Sequence, residues 1–227
     1  MALRLIEKEH LTDNVWAFRF EPDEPLEWTA GEYISVELPH EKPDGEGTKR
    51  WFTISSAPYE KIVQITTRIT QSSFKQALSR LEVGDELQLL DLPHGRFVWQ
   101  DPNRPLVFIA GGIGVTPFRS ILKQRAHDGL PLNVTLVYGS RTPDVPFQGE
   151  LQDWAALDPS LKIHCVVGEP LTVDRLFELV PDLAKSLIYL SGPQPLMVAL
   201  DAGLKAGGIP QAQLKHDFFP SYTEKEY

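Results

Sequence analysis

The segment from Pro105 to Pro117 reads PLVFIAGGIGVTP, an apolar run that ends in glycines, and an amphipathic stretch follows it. A short, fully apolar run bounded by glycine has the signature of a buried strand. The glycines let the backbone pass close to a pyrophosphate, and a helix behind them points its unpaired N–H groups and positive dipole end at the anion. Phe118, Ile121, Leu122 and Ala126 recur at helical spacing and give that helix one face to bury. Thr116 is placed to cap it, Pro117 suits a first turn where a missing N–H costs nothing, and Arg119 adds a charge useful beside a phosphate. Gly111, Gly112 and Gly114 thus form a candidate nucleotide cradle. An ordinary strand–turn–helix is built from the same parts, so the remaining residues must decide.

The hydrophobic period changes near Asp101-Pro102-Asn103-Arg104-Pro105, which reads as a linker between residues 1–101 and 102–227. Before it, six short β-like runs lie near Leu3–Glu9, Asn14–Phe20, Tyr33–Glu37, Arg50–Ser55, Ile62–Ile69 and Glu86–Asp91, with one helix near Phe74–Leu81. That pattern predicts a six-stranded antiparallel barrel. Glu41 to Lys49, rich in Pro, Asp and Gly, reads as a flexible, solvated insertion. Beyond the linker, strands at Leu106–Ala110, Asn133–Tyr138, Lys162–Val167, Leu187–Leu190 and Leu214–Phe218 alternate with helical stretches at Pro117–His127, Glu150–Ala156, Val173–Val180 and Gln194–Ala206. Such alternation predicts a parallel sheet covered on both faces, with ligands at the carboxyl ends of the strands.

A chain of 227 residues with 42% hydrophobic and 23% charged residues suits two modest soluble domains. No run approaches a bilayer span and the first ten residues carry charges where a signal peptide would be apolar, so a cytoplasmic protein is expected. A net charge of −9 disfavours nucleic acid as a partner. The single cysteine, Cys165, excludes an internal disulfide and a cysteine-ligated cluster, and its apolar neighbours read as core packing. The six histidines show no metal-ligand spacing, so no metal is expected. Electron chemistry in this chain would come from an organic cofactor.

Other residues carry complementary chemistry. In Arg50-Trp51-Phe52-Thr53, a guanidinium can fork onto a pyrophosphate, an aromatic ring can cover a flat heterocycle and a hydroxyl can bond a ring nitrogen. Gln71-Ser72-Ser73 offers hydroxyls and N–H groups at a helix start. Ser140-Arg141 closes one strand and Ser191-Gly192-Pro193 another.

In this order, over essentially the whole chain, the motifs resemble the ferredoxin–NADP reductase superfamily of flavoenzymes in its form without an iron–sulfur domain. Arg50-Trp51-Phe52-Thr53 looks like the R-x-[YF]-[ST] flavin motif, Thr70 to Ser73 the second phosphate turn, Gly111 to Pro117 the nicotinamide-dinucleotide loop, and Ser191-Gly192-Pro193 the [CS]-G-P turn. Ala30-Gly31-Glu32-Tyr33 and Pro93-His94-Gly95-Arg96-Phe97 are weaker agreements. The resemblance implies FAD with Arg50 on its pyrophosphate, Phe52 against the ring and Thr53 near N5. It also implies NADPH or NADH across the cleft and an aromatic of the acidic-x-aromatic ending guarding the flavin, with Phe219 the preferred match and Tyr222 and Tyr227 the other candidates. Ser191 stands where plant-type members have cysteine, and Phe52 where tyrosine is commoner. Arg141 beside Ser140 tilts the expectation toward NADPH, although Val167-Gly168-Glu169 lacks the further Ser-Arg pair of strict NADP-dependent relatives.

The activity so implied is hydride transfer from NAD(P)H to FAD and electron delivery to a separate acceptor, such as ferredoxin, flavodoxin or an oxygenase component. The acidic balance disfavours docking another acidic protein unless Lys42, Lys49 and Arg50 form an exposed basic patch. A non-catalytic nucleotide-binding adaptor and an FMN-dependent reductase are the alternative readings.

Overall fold

The computed structural model describes residues 1–100 and 104–217. The first sheet contains β1 (Ala2–His10), β2 (Val15–Pro22), β3 (Tyr33–Glu37), β4 (Lys49–Thr53), β5 (Val63–Arg68) and β6 (Glu86–His94), with α1 (Ser73–Arg80) between the last two. Its order is β4-β3-β6-β1-β2-β5, and all pairs within it are antiparallel. The two edge strands meet where Ile54 bridges Ile65, and the Ser55 N–H donates to the Gln64 carbonyl at 2.8 Å. This contact brings the sheet edges together as a barrel. Alternate residues point inward, so Leu3 and Leu5, Phe18 and Phe20, Ile34 and Val36, Val63 and Ile65, and Leu87 and Leu89 form one core. Phe74 and Leu78 of α1 close its end.

The second sheet is parallel, with β7 (Leu106–Gly111), β8 (Val134–Ser140), β9 (Lys162–Val167), β10 (Leu187–Ser191) and β11 (Leu214–Asp217) in the order β11-β10-β7-β8-β9. Phe108, Leu136 and Tyr138 face Phe118, Ile121 and Leu122 of α2 (Thr116–His127) and Leu151 of α3 (Gln148–Leu157). The alternate residues Val107, Ile109, Val137, Ile188 and Leu190 face Leu176 of α4 (Val173–Leu179) and Leu200 and Leu204 of α5 (Gln194–Ala206). A strand with both faces covered must be apolar throughout, which is why β7 reads as one continuous hydrophobic run. The chain reverses direction across the sheet between β7 and β10, so a crevice opens where those two strands end.

Two local expectations are corrected. Strand β9 is the sheet edge, and Cys165 on it is exposed rather than packed in the core. Thr116 does not cap α2; a 3-10 turn over Gly112–Val115 leads into the helix, and the Thr116 hydroxyl donates back to the Ile113 carbonyl at 3.1 Å.

The two sheets are joined by both apolar and polar contacts. Ala30 and Phe97, from the barrel side, belong to the core around Phe108 and Phe118. A Cβ on Gly31 would strike the Phe97 carbonyl, and the backbone there has φ +100°, so only glycine lets the chain pass. The Arg119 side chain of α2, only 3% exposed, donates to the Ser55 carbonyl at 2.6 Å and forks onto Glu150 at 2.6 and 2.8 Å. Ser120 donates to the Ser56 carbonyl at 2.6 Å, and Lys123 pairs with Glu60 at 2.8 Å. Arg119 is therefore an inter-sheet anchor, not a phosphate contact as its place in the first helical turn implies.

Burial opposes the Glu150 charge, but hydrogen bonding and charge from Arg119, then Lys123, prevail and hold its carboxyl below the usual range. Arg119→Ala is expected to destabilise the fold by about 1–3 kcal/mol, because it orphans a buried carbonyl and a half-buried carboxylate. Urea unfolding measures this. A carboxyl depressed on folding stabilises above its unfolded pKa and loses that contribution as pH falls, so the deficit is expected to shrink below about pH 4.5.

Candidate active site where the two sheets meet

A cleft of about 540 Å³ lies between the sheets. Phe52, Thr53, Thr66, Thr67 and Arg68 line it from the barrel, and Gly111 to Gly114, Thr116, Ser140, Arg141, Ser191, Gly192 and Pro193 from the parallel sheet. The two glycine turns are pressed together. A Cβ on Gly192 would lie 3.0 Å from Gly111 Cα, one on Gly111 would lie 2.8 Å from Leu196 Cδ2, and one on Gly114 would fall on the Ser191 carbonyl. Gly112 and Gly192 have φ of +51° and +157°, a region that side chains disfavour. Glycine at these positions thus brings the ends of β7 and β10 together at the crevice.

One carboxylate oxygen joins the two halves of the site. Asp217 Oδ2, at the end of β11, accepts from Ser191 Oγ at 3.0 Å and from Thr53 Oγ1 at 3.4 Å. Burial pushes the Asp217 carboxyl up to about 6, against the lowering effect of its bonds from Ser191 and Thr53. Asp217 also reaches a second groove lined by Tyr33, His94, Arg96, Lys215 and His216. Sequence reading identified Asp217 only as part of a terminal motif; its burial depends on β11 lying beside β10, which the local pattern does not reveal.

Arg68 and Arg141 share the mouth of the cleft. Burial lowers the Arg68 pKa first, and the Arg141 charge lowers it further. Arg68 also donates to Asn14 Oδ1 at 3.0 Å, and the Ser140 hydroxyl donates to the Thr142 carbonyl at 2.8 Å. Arg68 escaped the sequence reading, although it ends the strand that faces the glycine loop. Two like charges held close form a seat suited to an anion.

Arg50 stands apart from the cleft lining. It is 4% exposed, and its Nη1 donates to the carbonyls of Glu46, Gly47 and Lys49 at 3.1, 3.2 and 2.7 Å. Its Nη2 reaches Ser72 Oγ at 3.2 Å, Asp44 Oδ1 at 3.4 Å and Glu46 Oε2 at 2.7 Å. Arg50 Nε is buried with no hydrogen-bond partner among the described residues. The Ser73 N–H, at the start of α1, donates to Asp44 Oδ2 at 2.7 Å. Ser72 occupies the N-cap position without bonding the helix, so the α1 cap is supplied by Asp44. Gln71 is exposed at the turn before α1. The segment from Glu41 to Lys49 is mostly exposed, as expected, but Asp44 and Glu46 tie it to α1 and Arg50. Arg50 does not join Lys42 and Lys49 in an exposed basic patch.

Phe52 is 7% exposed, lies 5.9 Å from the Phe74 ring and also reaches the cleft. Pro117 is buried in the first turn of α2. Phe219 falls outside the described residues.

A buried acid whose pKa rises on folding favours the protonated native state, so stability falls as pH rises from 3.8 through 6. Asp217→Asn is expected to stabilise the protein at pH 8 by up to about 3 kcal/mol and to have little effect near pH 4, as read by thermal and urea unfolding. An equal effect at both pH values would contradict a buried charge at this site.

Residues 108–201 match the family model described as the oxidoreductase NAD-binding domain. The chain is 28% identical over 226 residues to a flavohemoprotein of Burkholderia sp. (strain TH2), covering 92% of this chain and 56% of that protein. It is 27% identical over 249 residues to the reductase component of propane 2-monooxygenase from Rhodococcus jostii (strain RHA1), covering 96% and 63%. The chain thus spans less than two thirds of the length of either relative. A ferredoxin NADP+ reductase from Neisseria gonorrhoeae, solved with bound FAD and NADP, superposes with a TM-score of 0.82 at 15% identity, covering 96% of this chain and 97% of that one. An antiparallel barrel, a parallel sheet and a cleft between them are the fold that the chain shares with that reductase structure, and residues 108–201 are similar to the oxidoreductase NAD-binding domain.

Proposed function

We propose that the chain is an FAD-dependent oxidoreductase that accepts hydride from NADPH or NADH and delivers electrons to a separate acceptor. The observation that carries this reading is the junction at Asp217, where Thr53 of the barrel and Ser191 of the parallel sheet bond the same carboxylate oxygen. A cofactor ring held by the barrel and a nicotinamide held by the parallel sheet would meet there. Bound FAD supplies the step the side chains lack, taking two electrons at once and releasing them singly.

The residues fit that cofactor. Phe52 and Thr53 offer a ring face and a hydroxyl to the cleft. Arg50, Ser72 and the Ser73 N–H form a donor set for a pyrophosphate, with Arg50 Nε still unsatisfied. In the proposed assignment Gln71 adds a flanking amide. Residues 1–101 form the flavin-holding unit and 102–227 the nicotinamide-holding unit. Gly111, Gly112 and Gly114 allow backbone approach to the nicotinamide pyrophosphate, with Thr116 and Pro117 starting the helix behind them. Gly192 and Pro193 shape the turn against the nicotinamide. Ser191 and Thr53 hold the rings' polar edges, and Asp217 keeps a proton beside them below about pH 6. Phe219 is assigned to cover the flavin.

Arg141, backed by Arg68 and Ser140, favours the 2′-phosphate of NADPH over the free hydroxyl of NADH. The acceptor is a ferredoxin, a flavodoxin or an oxygenase component; similarity to an oxygenase reductase component supports the last of these.

The purified protein is expected to bind FAD and to bleach anaerobically on adding NADPH or NADH. Arg50→Ala is expected to weaken FAD binding at least tenfold. Arg141→Ala is expected to raise KM for NADPH about tenfold while leaving that for NADH within twofold. A folded protein that takes up no FAD would support a nucleotide-binding adaptor, and selective uptake of FMN would support an FMN-dependent reductase.

A further inference from the structure

The donors around Arg50 are already engaged by the protein's own carboxylates. Asp44 accepts from the Ser73 N–H at 2.7 Å and from the Glu46 N–H at 3.1 Å, and it faces the Arg50 guanidinium. Its own N–H donates to Ser73 Oγ at 2.9 Å, while the Ser73 hydroxyl also meets His40 Nε2 at 2.9 Å. Glu46 pairs with Arg50 Nη2 at 2.7 Å. Although burial works against it, the Asp44 carboxyl is lowered to about 2 by hydrogen bonds from Ser73 and Glu46 and by the Arg50 charge. The arrangement is that of a bound anion: a guanidinium, a serine hydroxyl and a helix N-terminus converge on two negative groups.

We propose that the segment from Glu41 to Thr48 is an internal anion plug, in which Asp44 and Glu46 occupy the phosphate seat until a flavin pyrophosphate displaces them. This rests on the flavin reading above. Arg50 and the α1 N-terminus carry too little positive charge to hold two carboxylates and two phosphates together, so one pair must leave. The segment is free to do so on its outer side: residues 41–46 are exposed, and a Cβ at Gly45 or Gly47 would meet no described residue within 4 Å. Binding is thus an exchange of anions, no bond being made or broken. The plug satisfies buried donors when the seat holds no phosphate and opposes every phosphate-bearing flavin by the same competition. Flavin affinity is therefore tuned by the plug, and FAD is exchangeable.

The test compares FAD with riboflavin, which has the same ring and no phosphate, by fluorescence titration of the full chain. Asp44→Asn, Glu46→Gln and the double variant are each checked for folding by circular dichroism. In the double variant FAD is expected to bind at least tenfold more tightly, with riboflavin affinity unchanged within twofold. Glu46→Gln alone leaves the helix cap intact and is expected to tighten FAD about threefold, so the test survives if loss of Asp44 harms α1. Unchanged or weaker FAD binding in Glu46→Gln and the double variant overturns the plug while leaving the flavin reading standing. Equal tightening of FAD and riboflavin also overturns it, because competition for phosphate would then not be the cause. Failure of wild type and variants alike to bind either flavin overturns the flavin reading and the plug with it.

Discussion

Arg119 and Ser120 reach out of α2 and donate to the carbonyls of Ser55 and Ser56, one turn of chain beyond the strand that bears Phe52 and Thr53. That link, with the Lys123–Glu60 pair and the shared core around Phe97, holds the two walls of the cleft together. The barrel and the parallel sheet are each able to bury a core, so without a rigid joint their relative position would be loose. Buried charge-assisted bonds combine with the shared aromatic cluster of Phe97, Phe108 and Phe118 to set the joint. The same helix that starts behind the glycine turn therefore aims the turn at the barrel. The glycine turn and the Phe52–Thr53 wall of the cleft are brought into register by one element.

That register gives Asp217 its unusual environment. The carboxyl ends a strand beside β10 at the contact of the two sheets, where partial burial favours its neutral form and its proton is retained to higher pH. Thr53 and Ser191 are too weakly acidic to exchange protons on their own at neutral pH, but both are wired to this group. In the proposed hydride-transfer site, a carboxyl whose pKa is pushed up to about 6 provides a proton store without adding permanent charge at lower pH. Ser191 supplies the hydroxyl that makes that hydrogen bond.

The strands and helices were legible because their signals are local. Leu3 and Leu5, or Ile34 and Val36, alternate as a barrel demands, and Leu106 to Ala110 is apolar throughout because both its faces are covered. The glycine turn and the Arg50-Trp51-Phe52-Thr53 run could be located from their chemistry. Partnerships across the chain could not. Arg119 has the position of a phosphate ligand and the contacts of an anchor, since Ser55 and Glu150 lie far from it in sequence. Cys165 sits among valines, yet its strand is at the sheet edge. Polar and glycine-rich composition hid the ordered contacts of Asp44, which arise only because α1 begins next to the insertion.

The central claim is that the ring site of the barrel and the nicotinamide site of the parallel sheet are one site, centred on Thr53, Asp217 and Ser191. A crystal structure with FAD and a non-reducible nicotinamide dinucleotide tests it most directly. The account expects the two rings in van der Waals contact, about 3–3.5 Å apart, beside those three side chains. A nicotinamide bound with its ring turned away, in a protein whose Arg119 and Ser120 bonds to the barrel are intact, would contradict it.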